Sequence, residues 1–589
     1  MNRSTLARRY APLVALAAIQ LLIIATVPSR APNKASAAQQ QVAAGATQGG
    51  GATVDTGQGG AAGTASTVAG SGGALGGAVG GTTTGAGGGA GSGGAGSAPG
   101  AVSGAAGDVT HCVAGHEFDP AMAYWSPPCV AGTPGGPFAN NGGATAQGVT
   151  ADTITIVDYH ADAGAEVDAI LKAEGLYTSY ADAQTYDAVY QNFINKFYVL
   201  FGRKVKIITY QGQCTTVPPD TNCLLPEMDK IASQYHPFMV YWGVNTVCSA
   251  CYAELARDKV IATGGDGFSD DFANQNAPYF YSASESSTRI EDAFAEFYCK
   301  QLAKFPVAYA EHGNPAQNFN GKPRVLGVIS TNDPDNKDTV HKVLYKALAS
   351  CGVSVTHEYF YAQDINTAAQ QVAAGIAAMD TPTNPATTVI CLCDAVAPAF
   401  LFEGEKANNY YPENVIATDQ GMDLDKAAQS YETGLGCPSG GTCEFDNAFG
   451  LSINGPSVSK DNNEGTRIYK AAGGGTPTID PTVNGVIAHD YVMMANLIEN
   501  TGPNLTPAAL QARAPGMGAL GGGATEQSLL QFGSGDWNWI QDARVVYWDK
   551  TKPSPYNGLA GTFVQIEGNR YNLGQYPTEQ CCPGIPTRS

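Results

Sequence analysis

The sequence predicts an α/β protein of two doubly wound lobes with parallel-sheet cores, preceded by a disordered Gly/Ala-rich linker. Three observations lead there. From Gly148 onward, short apolar strands alternate with segments of helical spacing, the pattern of parallel sheets covered on both faces. The alternation runs once, closes on a long helix over about 286–304, and then restarts. A chain of 589 residues has ample length for more than one core.

In the first run, Ile154-Thr155-Ile156-Val157 is a strand, and residues 181–200 carry Val189, Phe193, Ile194 and Phe197 at helical spacing. Val205-Lys206-Ile207-Ile208 is the next strand, 224–235 a helix, 238–241 a buried strand, Ser249–Arg257 a helix and Val260-Ile261-Ala262 a strand. The second run gives strand 325–329, helix 338–349, strand 354–361, helix 367–379, strand 388–392, helix 396–407 and strand 415–418.

The N-terminus reads as an export signal over residues 1–37. Arg3, Arg8 and Arg9 precede an apolar run from Ala11 to Val27, and Ala35-Ser36-Ala37 is a small-residue cleavage site. An uncleaved anchor is the alternative, against which the run is short for a membrane span and carries Gln20. Residues 38–107 are mostly Gly, Ala, Ser and Thr, with Asp55 as their one charge. Such a segment buries too little apolar surface to offset its ordering entropy. Residues 108–147 read as a small extension closed by Cys112–Cys129, with His111 and His116 expected to be structural rather than metal ligands. The net charge of −20 argues against nucleic acid, whose binding depends on Lys and Arg neutralising phosphates. Fourteen cysteines in an exported chain are expected mostly as disulfides.

Three stretches carry a family likeness: "GVTADTITIV" as an opening strand, "FGRKVKIITYQGQC" as a second strand, and the tail "RVVYWDKTKPSPYNGLAGTFVQIEGNRYNLGQYP", residues 544–577, as a closing hairpin. On these, residues 148–589 resemble the type I periplasmic substrate-binding proteins, in particular the branched-chain amino-acid (Leu/Ile/Val)-binding family of ABC importers, in an actinobacterial-like form. The resemblance implies the type I periplasmic-binding fold, with two lobes joined by a three-strand hinge and a small ligand clamped between them. Lobe 1 is then 148–282 with 457–540, and lobe 2 is 283–456 with 541–589. It further implies an extracytoplasmic protein, secreted or tethered to the cell surface, whose partners are a small polar ligand such as an amino acid and an ABC permease. A surface sensor or adhesin with the same fold is the alternative. No Gly-x-Ser-x-Gly, His-Glu-x-x-His or P-loop pattern is present, so the chain reads as a binding protein without a cofactor rather than an enzyme. The loop "DYHADAGAE", 158–166, lacks the family's Pro-x-Thr-Gly element, and "GVNTVCSAC" replaces its Ser/Thr-rich ligand loop.

An α-amino acid needs donors for its carboxylate and acceptors for its ammonium. Asn245, Thr246 and Ser249 fall where a strand gives way to a helix, and Gly265 and Asp266 fall in the Gly-rich turn after the next strand. The resemblance places the carboxylate loops there and an acidic residue for the ammonium at Asp419, with Gln420 beside it. Asp394 follows the strand in "CLCDAV", and Tyr159 follows the first strand towards the cleft. An Asp in such a position is also an ordinary helix N-cap. "DPDNKDT", 333–339, lacks the Gly and Glu of a calcium loop and reads as solvated.

For the cysteines near this site, the resemblance implies Cys214–Cys248 and Cys223–Cys251, against the local pairing Cys214–Cys223 and Cys248–Cys251. Cys299–Cys351 is expected to tie two helices and Cys437–Cys443 to close a loop. Cys391 and Cys393 share one face of a strand; their partners stay open, with Cys581 and Cys582 as candidates.

Overall fold

The computed structural model describes residues 108–589 except 244–246, 266, 311–318, 395, 418–421, 435–443, 447, 483–486, 523–526, 583–584 and 586–589. Its first sheet holds β1 (Thr153–His160), β2 (Lys204–Gln211), β3 (Met239–Trp242), β4 (Ile261–Gly264) and β5 (Phe280–Ser282), all parallel in the order β2-β1-β3-β4-β5. The crossovers carry α1 (Ala165–Glu174), α2 (Tyr180–Phe197), α3 (Thr221–Tyr235), α4 (Ser249–Arg257) and α5 (Asp270–Asn276). All four β3 residues are buried, as the uninterrupted apolar run Met-Val-Tyr-Trp requires of a strand covered on both faces.

After β5 the chain enters α6 (Ser287–Phe297), which continues as a π-helical turn over Tyr298–Leu302. The second sheet has the order β12-β11-β10-β9-β8-β6-β7, built from β6 (Leu326–Thr331), β7 (His357–Tyr361), β8 (Thr388–Leu392), β9 (Glu413–Ala417), β10 (Phe449–Ser452), β11 (Ala543–Pro553) and β12 (Ala560–Tyr571). Its helices are α7 (Pro334–Thr339), α8 (Tyr345–Ser350), α9 (Ala368–Met379), α10 (Ala397–Ala407) and α11 (Asp425–Gly434). β11 and β12 form the antiparallel closing pair. Between β10 and β11 the chain supplies α12 (Glu464–Ala471), α13 (Ala488–Thr501) and α14 (Pro507–Arg513). α12 and α13 pack on α2 of the first lobe, so the segment between β10 and β11 completes the N-terminal lobe. Among the described residues no helix is long and apolar enough to cross a membrane.

The fold is thus the two-lobed type I periplasmic-binding architecture, with three crossings packed as a hinge. Ser282 pairs in parallel with Asn538, and the Trp539 N–H donates to the Ser282 carbonyl at 2.9 Å. The third crossing is held by arginines from the closing strands. Arg544 donates to the carbonyls of Asn454 and Gly455, while Arg570 donates to that of Ile453 at 2.7 Å and to the Asp542 carboxylate at 2.9 Å. The extension packs on the first lobe: Phe118 meets Phe193 edge-on, and Asn496 donates to the Trp125 carbonyl at 3.0 Å.

The cysteines depart from the expected pattern near the cleft. Cys214 pairs with Cys223 and Cys248 with Cys251, the local alternative. The helix start explains the second pair. Cys248 is the N-cap of α4, its sulfur accepts from the Cys251 N–H at 3.2 Å, and one turn of helix brings the two Cα atoms within 5.3 Å. Cys391 and Cys393 do share a strand face but pair with each other, and Cys581 pairs with Cys582, so the candidate link between these sets is absent. Cys112–Cys129 and Cys299–Cys351 are formed as expected. Cys437 and Cys443 lie outside the described residues.

Candidate functional site

The carboxyl ends of β3 and β4 in lobe 1 face those of β6 and β8 in lobe 2, and a cleft lies between them. That is where open α/β sheets leave room for ligands, because the helices that follow the strands turn away on either side. Val247 and Gly267 border the cleft from lobe 1. Ser330, Thr331, Cys393 and Asp394 border it from lobe 2, and Ser287 and Glu291 of α6 border it beside the hinge. With its mouth it holds about 450 Å³, room for a small solute.

Two acidic residues clasp the lobes beside the cleft. Ser249 of lobe 1 donates through its N–H and hydroxyl to the Asp333 carboxylate of lobe 2 at 3.3 and 3.0 Å. Ser269 donates in the same way to Asp335, at 2.7 and 2.5 Å. The segment 333–339 is therefore no solvated loop: Asp333 caps α7, and both carboxylates are drawn to the opposite lobe. Burial raises the Asp335 pKa above its usual range.

Three oxygens lining the cleft have no hydrogen-bond partner: Ser287 Oγ, Ser330 Oγ and Glu291 Oε2. Ser330 and Glu291 are 1% and 3% exposed. Burial pushes the Glu291 carboxyl well above its usual range, and nearby Asp335 and Asp292 push the same way.

Of the residues expected from sequence, Asp394 borders the cleft. Its carboxylate is already engaged beside the start of α10: Oδ1 accepts from the N–H groups of Val396 and Ala397, and Oδ2 from the Tyr361 hydroxyl and Gln363 amide. Ser249 is turned to Asp333 across the lobe seam. Gly265 is exposed, with nothing within 4 Å of where a Cβ would sit. Tyr159 does not face the cleft. It is fully buried, stacked between Trp242 at 4.9 Å and Tyr210 at 6.0 Å, and its hydroxyl donates to Glu227 at 2.9 Å. Lobe-1 aromatics claim it for the core. Asn245, Thr246, Asp266, Asp419 and Gln420 lie outside the described residues.

Sequence reasoning passed over Ser287, Glu291 and Ser330. A signal for Glu291 was present: it precedes Phe294, Ala295 and Tyr298 at helical spacing, so it is a carboxylate on the apolar face of a helix.

A second cavity opens within lobe 2 between α9, α10 and β7. It is lined mostly by apolar groups such as Ile329, Tyr359, Val372 and Phe400, and its mouth meets Val217 of lobe 1. Among the described residues, His111, Cys112 and Cys129 form the one His/Cys/carboxylate group close enough to hold a metal ion, and both sulfurs are already joined in a disulfide.

No family model matches the chain, and no curated protein matches it. Solved structures do. The chain is similar to solute-binding proteins of ABC transporters. One, from Rhodopseudomonas palustris in complex with 4-hydroxybenzoate, is 12% identical with TM-score 0.47, over 72% of this chain and 99% of that one. A branched-chain amino acid transporter substrate-binding protein from Streptococcus pneumoniae, in complex with isoleucine, is 12% identical with TM-score 0.45, over 70% and 100%. A leucine-, isoleucine-, valine-, threonine- and alanine-binding protein from Brucella ovis, in a closed conformation, is 12% identical with TM-score 0.47, over 73% and 98%. Likenesses of this size carry no argument about ligand; the architecture rests on the sheet orders and crossings of the chain itself.

Proposed function

We propose that the chain is an extracytoplasmic solute-binding protein that captures a small polar ligand between its lobes and presents it to an ABC permease. The observation that carries this reading is the cleft at the strand ends of both lobes, with three oxygens unpartnered inside it. Buried polar groups are normally paired, so unpaired ones gathered on one cavity mark a place that a ligand fills. The hinge and the serine–aspartate clasps supply the rest of a capture device, because a ligand touching both lobes favours the clasped arrangement. The disulfides, with the export signal expected from the sequence, support a place outside the cytoplasm.

The test is a thermal-shift screen of the full chain against amino acids, amines, amides and sugars. A ligand at 100 times its Kd adds about 2.7 kcal/mol of stability, a clear shift in Tm. One chemical class of saturable hits, each recovered intact after incubation, is the expected result. Turnover of the hit, or no shift with any class, overturns the proposal.

A further inference from the structure

The unpartnered groups of the cleft also specify its charge. Resting on the cleft-binding reading above, we propose that the ligand is a small organic amine of net positive charge, whose ammonium group pairs with the carboxylate of Glu291 and donates to Ser330 and Ser287.

Glu291 stands in the second turn of α6, on the face that closes the cleft beside the hinge. Its Oε2 has no partner. An ionised carboxylate in that position is strongly unfavourable unless a cation meets it. No Lys or Arg borders the cleft among the described residues. Of the cations in the neighbouring helical turns, Arg289 pairs through Nη2 with Asp536 at 2.9 Å and Lys300 with Glu296 at 2.6 Å. The charged groups near Glu291 are acidic, with Asp292 and Asp335 adding their own negative potential. Asp394 borders the same space.

The hydrogen-bond inventory points the same way. An ammonium group offers three N–H donors and no acceptor. Glu291 Oε2, Ser330 Oγ and Ser287 Oγ are three free oxygens on one cavity. A ligand carboxylate, by contrast, would enter a space edged by Glu291 and Asp394 with no side-chain cation among the described residues to receive it. The site therefore favours an amine over the amino acid that carries the same side chain.

The experiment uses matched pairs. Putrescine is compared with ornithine, and isoamylamine with leucine, by titration calorimetry on the full chain. Each amine is expected to bind at least about tenfold more tightly than its amino acid. Glu291→Gln, close in shape and unable to ionise, is expected to weaken amine binding by at least about tenfold while circular dichroism stays native. Ser330→Ala is expected to weaken it by a smaller factor. Equal or tighter binding of the amino acids overturns the inference, as does amine binding untouched by Glu291→Gln. If only neutral or anionic solutes bind, the cleft reading stands and the amine inference falls; if no solute binds, both fall.

Discussion

The two walls of the cleft are both built on the ends of parallel strands, yet they treat their strand-end residues differently. On the lobe-1 side, several strand-end polar groups among the described residues are already used. Tyr159 and Tyr210 donate to Glu227, and Ser249 and Ser269 reach across to Asp333 and Asp335. On the facing side, Ser330 and Glu291 are buried with oxygens left over. A position after a strand therefore does not by itself make a ligand residue. What decides is whether neighbouring side chains have already satisfied it. The lobe-1 wall acts as a preformed floor, and the Ser330–Glu291 side supplies the groups that await a partner.

The largest expected effect comes from breaking the lobe-1 wall. Trp242 is 3% exposed at the end of β3, and its ring stacks at 4.9 Å on Tyr159 and tilts against Tyr252 at 5.8 Å. Trp242→Ala leaves a large cavity, and such truncations cost about 3–5 kcal/mol. Urea denaturation should report a loss of that size. A loss below about 1 kcal/mol would mean that the aromatic stack is not what holds this wall.

Buried acids are also met differently from one site to another. In lobe 2, Glu413 is fully buried but pairs with Arg324 at 2.7 Å. In lobe 1, both carboxylate oxygens of Asp490 lack a partner, and burial raises its pKa to about 7. Burial likewise raises Glu464 to about 7. Unfolded, such groups titrate near 4. Between about pH 4 and 7 the folded chain therefore holds protons that the unfolded chain has released. The stability these two groups contribute is complete below about pH 4 and is lost as pH rises through about 7. Tm should fall from pH 5 to pH 8, and Asp490→Asn, which mimics the protonated form, should flatten part of that fall. A Tm that rises over the same range, or a slope unchanged in Asp490→Asn, would remove this contrast between paired and unpaired acids.

Much of the architecture was legible because it depends on local pattern. The helix read at Ser249–Arg257 and the strand at 388–392 have those bounds in the structure, since each combines a clear start with an unbroken period. What the sequence could not disclose are choices between distant partners. Tyr159 lies near the carboxyl end of β1, where a ligand residue would be sought, but its partner Glu227 lies 68 residues further on. Nothing local announces their pairing. Asp333 and Asp335 looked solvated because the serines that bind them lie 84 and 66 residues earlier, in the opposite lobe. The cysteines near the cleft illustrate the converse. The resemblance implied a long-range pairing, but the first turn of α4 brought Cys248 and Cys251 together locally.

The smallest effect separates these two readings of Tyr159 most sharply. Tyr159→Phe keeps the ring between Trp242 and Tyr210 and removes only the hydroxyl that Glu227 accepts. Glu227 keeps the Tyr210 hydroxyl at 2.9 Å and the Gln213 N–H at 3.2 Å, so its carboxylate is not stranded. The expected cost is about 1 kcal/mol, that of one hydrogen bond whose acceptor retains other donors. Ligand affinity, measured by calorimetry, should be unchanged, because Tyr159 is fully buried and turned away from the cleft. A tenfold loss of affinity with stability intact would return Tyr159 to the ligand and would show that the lobe-1 wall opens further than its packing implies. Unchanged affinity with a modest loss of stability keeps the division of labour: the Tyr159 hydroxyl is spent within lobe 1, and Ser330 and Glu291 keep their free oxygens for the ligand.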